Sequence, residues 1–382
     1  MIGQKGIPAF SGGVERSVEE IATRLAAHGH EVFAYCRAPY TPKTLTTYRG
    51  VQLIHLPSIR TKNLEAITHT FFATIHALFR DVDVIHYHAI GPSSLLWMIR
   101  LFKPRTPVIA TFHCQDYFHQ KWGWFARMYL RIGELMACRF AHRTIVVSRT
   151  LKQHMWSTYQ REGEYIPNGT NIPRARRAQR IRSYGLKKGN YILAVGRLVR
   201  HKGFHTLLEA YKQLRTTKKL VIVGGSSYTD AYVKELHRRA GDHPNILFLG
   251  AQHGEILDEL YANAYCTVQP SEAEGMSLVL LEALSHGQTV LASNIPEHRE
   301  VLEGVGLFFR NRSVGDLQAK LKFMIKHPEF ITRNRARART RVRRSYLWDD
   351  STEHIERLYR DILGTRVATV APATSDAIVR GS

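Results

Sequence analysis

The sequence predicts an α/β protein of two domains, each built on a parallel sheet. Residues 264–268 and 289–292 are short apolar runs, and a stretch with helical spacing lies between them. Strand, loop, helix and strand in that order make a βαβ unit, whose strands run parallel. The same alternation of short apolar runs and helical periods recurs along the chain. A length of 382 residues, 44% hydrophobic and 23% charged, suits two globular cores rather than one.

Residues 1–3 leave room for only the end of a first strand. A central strand is usually longer, so this one is expected to begin upstream. Gly6, Gly12 and Gly13 suit a loop after it. Residues 14–27 then read as a helix, with Val14, Val18, Ile21, Ala22 and Leu25 at a helical period. His28-Gly29-His30 closes that helix, and alternation resumes into the second strand. Further strands are expected at 51–56, 82–86, 107–112 and 143–148, with helices at 64–79 and 129–140. The first domain is assigned to 1–168.

The second domain, 169–345, opens with a basic stretch. Strands are expected at 191–198, 220–225, 246–250 and 308–309, and helices at 204–214 and 255–262, besides the unit at 264–292. A helical run at 352–363, capped by Asp350 or Ser351, falls in a separate element, 346–364. The small, polar, aperiodic tail 365–382 is expected to be disordered.

The formal charge is +22 with histidines neutral, a field that favours polyanions. Nucleic acid, anionic lipid headgroups and phosphorylated glycolipids all qualify. One arginine cluster runs from Arg174 to Arg182 and another from Arg333 to Arg344, and each also reads as a solvated helix surface. Cys36, Cys114, Cys138 and Cys266 are scattered, with neither zinc spacing nor a disulfide framework. No apolar run reaches the length of roughly 18 residues that spanning a bilayer takes, and no secretory signal opens the chain. The expectation is a reducing cytoplasm.

The chemistry gathers on residues 269–287. In parallel sheets, ligands bind beyond the carboxyl ends of the strands, where the loop 270–275 falls. Gly275 lets a ligand approach the backbone. The free amides of Met276, Ser277 and Leu278 at a helix start favour an anion. Glu274 precedes them and Glu282 follows in the second turn; carboxylates repel phosphate but accept hydrogen bonds from hydroxyls. A diphosphate between two polyols, as in a nucleotide-diphosphate sugar, fits all three features. The bland alternative is a core βαβ unit whose glutamates are a solvated helix face. Arg197 and Lys202 frame a glycine turn at another strand end, placed to grip a diphosphate. His113 ends a strand at the same kind of edge; by residues alone, a structural and a chemical role are equally open. His86 and His88 lack a third metal ligand and read as cleft or loop residues. Asp81 and Asp83 precede a strand, at the edge away from the ligand, so no metal site is expected.

Pro270-Ser271-Glu272-Ala273-Glu274-Gly275-Met276-Ser277-Leu278, followed by Leu281-Glu282-Ala283, resembles the E-x7-E signature of retaining glycosyltransferases of the family 4 type. Gly196-Arg197-Leu198 with Lys202-Gly203 resembles that family's diphosphate pattern, although Arg200-His201 stands where the family has Pro-Glu. Thr111-x-His113 with Asp116 and Lys121-Trp122-Gly123 matches another motif, with Cys114 in place of its glycine. Pro167-Asn168-Gly169 also matches, but Thr170-Asn171 replaces the usual Val-Asp. The opening, Gly3 to Glu15, resembles a bacterial subgroup associated with surface polysaccharides and lipopolysaccharide. The resemblance implies the GT-B fold: two Rossmann-like domains facing across a cleft, with a C-terminal helix crossing back onto the first. It implies that Glu282 holds the ribose, that Glu274 and His113 lie at the donor sugar, and that Arg197 and Lys202 bind the diphosphate. It places the Gly12–Gly13 loop on the acceptor side of the cleft.

The expectation is therefore a retaining glycosyltransferase using a nucleotide-sugar donor and a glycan or lipid-linked acceptor, with no cofactor, peripheral on an anionic membrane. The rivals are a GT-B sugar-nucleotide epimerase, a basic nucleic-acid-binding protein, for which no helix-turn-helix or RNP pattern speaks, and a catalytically silent subunit. The epimerase would consume donor without an acceptor.

Overall fold

The first strand is present as a stub at the centre of its sheet. Ile2 pairs in parallel with Tyr87, its N–H donating to His86 O at 2.9 Å and its carbonyl accepting from His88 N at 2.8 Å. On the other side Met1 O accepts from Tyr35 N at 3.2 Å. The computed structural model describes residues 1–370 except 11, 60, 62–63, 119–121, 175–176 and 227–228, with the backbone alone for 365–370.

On one side of the stub lie α1 (Gly13–Ala27), β1 (Val32–Arg37), β2 (Thr47–Tyr48), β3 (Val51–Leu56) and α2 (Leu64–Leu78). β1 and β3 are parallel, and β2 is an antiparallel edge. On the other side come β4 (Ile85–His88), α3 (Ile90–Ser93), α4 (Leu96–Phe102), β5 (Val108–Phe112), α5 (Trp124–Leu135), β6 (Arg143–Val146), α6 (Arg149–Tyr159) and β7 (Glu164–Tyr165). These four strands pair in chain order, all parallel. β4 and β5 are buried along their whole length, as a sheet covered by helices on both faces requires.

Several expected bounds shift. The strand expected at 82–86 runs from Ile85 to His88, so Asp81 and Asp83 lie before it, and His88 joins His86 as a buried strand residue, which removes the loop half of the cleft-or-loop reading. The helix expected at 129–140 starts at Trp124 and passes into a π turn, Met136–Phe140. The strand expected to reach 148 ends at Val146. Ser148 instead caps α6, its Oγ accepting from Leu151 N at 3.3 Å.

The second sheet is built from β8 (Tyr191–Val195), β9 (Lys219–Val223), β10 (Ile246–Phe248), β11 (Cys266–Gln269), β12 (Val290–Ser293) and β13 (Leu307–Phe309). The helices between them are α7 (Phe204–Lys212), α8 (Asp230–Ala240), α9 (Gly254–Asn263), α10 (Leu278–Ser285) and α11 (Pro296–Val301). The strand order is β10-β9-β8-β11-β12-β13, all parallel. Chain direction across the sheet therefore reverses between β8 and β11, the switch point at which open α/β sheets bind ligands.

α12 (Val314–Lys326) and α13 (Pro328–Ser345) follow, and α13 carries the second arginine cluster. Three of its arginines are not simply solvated. Arg335 donates to Ala264 O at 3.0 Å, Arg339 to His286 O at 3.3 Å and Arg341 to Glu300 O at 2.9 Å.

α14 (Trp348–Val370) then crosses back onto the first half, buried at Trp348, Ile355 and Leu358. One carboxylate, Glu356, meets His28 and His30 at the end of α1, each at 2.9 Å. Tyr359 OH lies 2.6 Å from His86 Nδ1. Because the helix begins at Trp348, Asp350 and Ser351 sit inside its first turn and do not cap it. Ser351 Oγ donates instead to Pro167 O at 2.8 Å. The helix also runs past 363 to Val370, so residues 365–370 of the tail expected to be disordered are helical, and the rest of that tail, 371–382, lies outside the described residues.

Candidate functional site

β8 and β11 end side by side at the switch point, and the loops that leave them are laced together. Glu272 N donates to His201 O at 2.7 Å. At Gly203, where φ is +69°, a Cβ would lie 2.0 Å from Pro270 O, so only glycine fits. Lys202 Nζ reaches Glu274 Oε1 at 2.5 Å, and Gln269 Nε2 donates to the same oxygen at 3.3 Å. Burial works against the charge on Glu274. Lys202, His298 and a hydrogen bond from Ser271 outweigh it and hold the carboxyl at about 2. Lys202 is thus already paired, whereas the guanidinium of Arg197 has no hydrogen-bond or ion-pair partner among the described residues. The two cations expected to act as one clamp stand in different states.

α10 begins at Leu278, with Ser277 in the N-cap position. Ser277 Oγ is buried and has no hydrogen-bond partner among the described residues, so no side chain caps α10. Met276 is buried beside it. Glu282 accepts from Tyr261 OH at 3.2 Å. Burial raises its carboxyl, against the pull of Arg16 and a hydrogen bond from Tyr261. The two glutamates of the motif therefore occupy opposite settings: Glu274 is ion-paired and its carboxyl is held low, whereas burial raises the carboxyl of Glu282.

The first half supplies the opposing wall. His113 follows β5, is buried, and is lowered to about 4 by that burial, with Asp116 acting the other way. Its Nε2 lies 3.5 Å from His88 Nδ1, and the His88 ring stacks on His86 with centroids 4.1 Å apart. A third histidine thus does reach His88. Even so, no three His, Cys, Asp or Glu side chains gather as a metal-binding group among the described residues.

Gly275 brings the walls together, since a Cβ there would lie 1.7 Å from His113 O. Gly12, with φ +101°, precedes α1, and a Cβ on Gly13 would stand 3.7 Å from Leu278 Cδ1. The glycine loop therefore faces the start of α10. Lys5 on the same loop is lowered by burial, with Glu15 raising it and Arg197 lowering it across the cleft. Beside this loop opens a cavity of about 400 Å³, lined by residues that include Lys5, Glu15 and Tyr40.

Sequence reasoning missed His298, Gln269 and Tyr261. His298 is fully buried in α11; its Nδ1 meets Ser293 O at 3.0 Å, and its Nε2 has no partner among the described residues. Its signal was present: a strand end, then Pro296 opening a helix that carries a histidine at the ligand edge.

Two family profiles match the chain, "Glycosyltransferase Family 4" over residues 11–174 and "Glycosyl transferases group 1" over residues 176–343. The phosphatidyl-myo-inositol mannosyltransferase of Mycolicibacterium smegmatis is 26% identical, with 93% of this chain and 92% of that protein covered. The O-antigen chain mannosyltransferase RfbU of Salmonella typhimurium is 29% identical over 59% of this chain, and the match spans 61% of that protein's length. Among solved structures, Anabaena HepE in complex with UDP-glucose shares the fold, with a TM-score of 0.76 at 20% identity over 97% of this chain and 98% of that one. The two profile matches run almost end to end across both sheets: the chain belongs to the GT-B glycosyltransferases of the family 4 type.

Proposed function

We propose that the protein moves a sugar, with retention at the anomeric carbon, from a nucleotide-diphosphate sugar to a lipid-linked or glycan acceptor in bacterial surface polysaccharide assembly. The carrying observation is the pair of laced loops at the β8–β11 switch point, which joins unpaired Arg197, the Lys202–Glu274 pair and the open start of α10. Residues 169–345 would form the donor domain and residues 1–168 the acceptor domain, with 346–364 strapped back across the first. Glu282 would bind ribose hydroxyls. Arg197, Lys202 and the amides at Met276, Ser277 and Leu278 would take up the charge that develops on the leaving diphosphate as its bond to the sugar breaks. His113 and Glu274 would flank the sugar, and the cavity beside Gly12, Gly13 and Lys5 would receive the acceptor.

The UDP-glucose bound by Anabaena HepE supports this donor class, and the two mannosyltransferase relatives support a surface or lipid-linked acceptor. An acceptor of that kind places the protein on the inner face of the plasma membrane. The test is a thermal-shift screen of nucleotide-diphosphate sugars, since a ligand bound only by the native state raises its stability. Product analysis with and without acceptor then follows. Donor consumed at the same rate without acceptor, to give an isomeric nucleotide sugar, would make the protein an epimerase instead.

A further inference from the structure

We infer that the outward face of α5 is a docking surface for an anionic lipid bilayer. The inference rests on the membrane-linked acceptor proposed above and names the element that meets the membrane.

α5 turns Leu130, Gly133 and Glu134 inward, against α3. Trp124, Met128 and Ile132, spaced four apart, therefore line the opposite side. All three are exposed, Trp124 at 69%, and neighbouring Phe125 is 76% exposed. An aromatic and aliphatic stripe in the open is not what a lone surface helix carries, and it marks an interaction face.

Charge selects the occupant. Arg127 and Arg131 are exposed on the flank of this stripe. The one acid of α5, Glu134, is buried and accepts hydrogen bonds from His154 and Tyr159. The face thus presents cations and apolar rings with no carboxylate, which matches the interfacial layer of an anionic membrane. There Trp and Phe sit at the headgroup level and arginine stems lie along the surface. α4 packs beside the π turn that ends α5; it too exposes apolar side chains, Trp97, Leu101 and Phe102, and contains no acid.

Position links the surface to the cleft. α5 is the first α-helix after the loop that carries His113. A protein lying on this face would hold the His113 wall next to the bilayer, where a lipid-linked acceptor presents its headgroup. By contrast, three arginines of the basic helix α13 are already engaged with backbone carbonyls.

The experiment compares co-sedimentation with vesicles of phosphatidylcholine alone and of phosphatidylcholine mixed with phosphatidylglycerol. The proteins are wild type, the doubles Trp124→Ser/Phe125→Ser and Arg127→Gln/Arg131→Gln, and a control, Arg333→Gln/Arg337→Gln on α13. Wild type should bind the anionic vesicles and release as salt rises. Each α5 double should bind at least tenfold more weakly, and the control within about twofold of wild type. Melting temperatures with and without nucleotide-diphosphate sugar should match across all four, which shows the fold and donor site intact. Loss of the donor shift in wild type would sink the glycosyltransferase reading without touching vesicle binding. The docking proposal falls if wild type fails to bind anionic vesicles at low salt, or if the α5 doubles bind like wild type. It also falls if light scattering shows a discrete dimer that the apolar double dissolves while no protein binds vesicles.

Discussion

Gly275 packs directly against the backbone of His113, with no room for a Cβ between the two loops: it would come within 1.7 Å of the His113 carbonyl oxygen. This contact fixes how far apart the two walls of the cleft stand. We predict that Gly275→Ala forces them apart. Overpacking should cost roughly 1–3 kcal/mol of stability, and transfer should fall more than tenfold, because the groups flanking the sugar lose their spacing. Gly315→Ala on α12, with nothing within 4 Å, is the control and should leave both unchanged. Wild-type transfer in Gly275→Ala would mean that the loops separate during turnover and the contact is incidental.

Acid should weaken the fold through buried histidines while Glu274 is still ionised. His113 and His298 are both lowered to about 4 by burial. A group depressed in the folded state contributes stability that is complete above its unfolded value, near 6.5, and is lost as pH falls toward the folded value. Each histidine would account for about 3 kcal/mol across that span, at ~1.4 kcal/mol per unit. Glu274, held at about 2, begins to weaken the fold only below its ordinary value of 4.5. Glu282, raised by burial, works in the opposite sense, because the folded form binds its proton more readily. Denaturant unfolding between pH 6.5 and 4.5 should therefore show falling stability, and His298→Gln should flatten the slope. A slope identical in that variant would remove His298 from the account.

Transfer should survive chelation of divalent metals. The Arg197 side chain is unpaired among the described residues and Lys202 lies on the same loop at the switch point, so cationic side chains are available to the diphosphate. Arg197→Ala should lower kcat/KM about ten- to hundred-fold, the cost of one hydrogen bond to a charged group. Activity abolished by chelator and restored by manganese would overturn this.

How much of this was legible in the sequence depends on range. The unit from β11 to β12 was readable to within two residues at its strand edges, because its apolar runs and glycine stop are local signals. α5 was read five residues late for a physical reason. Trp124, Phe125 and Met128 are apolar yet exposed, so the period of the buried face emerges only toward Leu130. The strand read at 82–86 stopped short of His88, whose polarity left a loop open; contacts of His86 with Thr111 and Tyr359, and of His88 with His113, bury both in the strand. The Lys202–Glu274 pair joins residues 72 apart, and no local pattern announces it. The same holds for Arg335, Arg339 and Arg341, whose partners are distant carbonyls.

That pair sharpens the last prediction, which separates the two glutamates. Removing the Glu274 side chain would leave Lys202 largely buried with neither a counter-charge nor a hydrogen-bond acceptor, so alanine would confound folding with function. Glu274→Gln keeps the shape and removes only the charge. Glu274 is assigned to the sugar, where charge develops, so this variant should lower kcat and leave donor affinity near wild type. At Glu282, glutamine keeps the shape of the side chain and an oxygen for Tyr261 OH. Glu282→Gln should therefore be mild, and Glu282→Ala should raise KM for the donor with little change in kcat. A hydrogen bond to a charged group is worth roughly 1.5–3 kcal/mol, or about ten- to hundred-fold. Steady-state kinetics against donor concentration distinguishes the cases: loss confined to KM means uniform binding was removed, and loss in kcat means a contact made in the transition state was removed. If Glu274→Gln and Glu282→Ala both fold and keep wild-type kinetics, the glutamates are structural members of a βαβ unit, and the site must be sought elsewhere along the cleft.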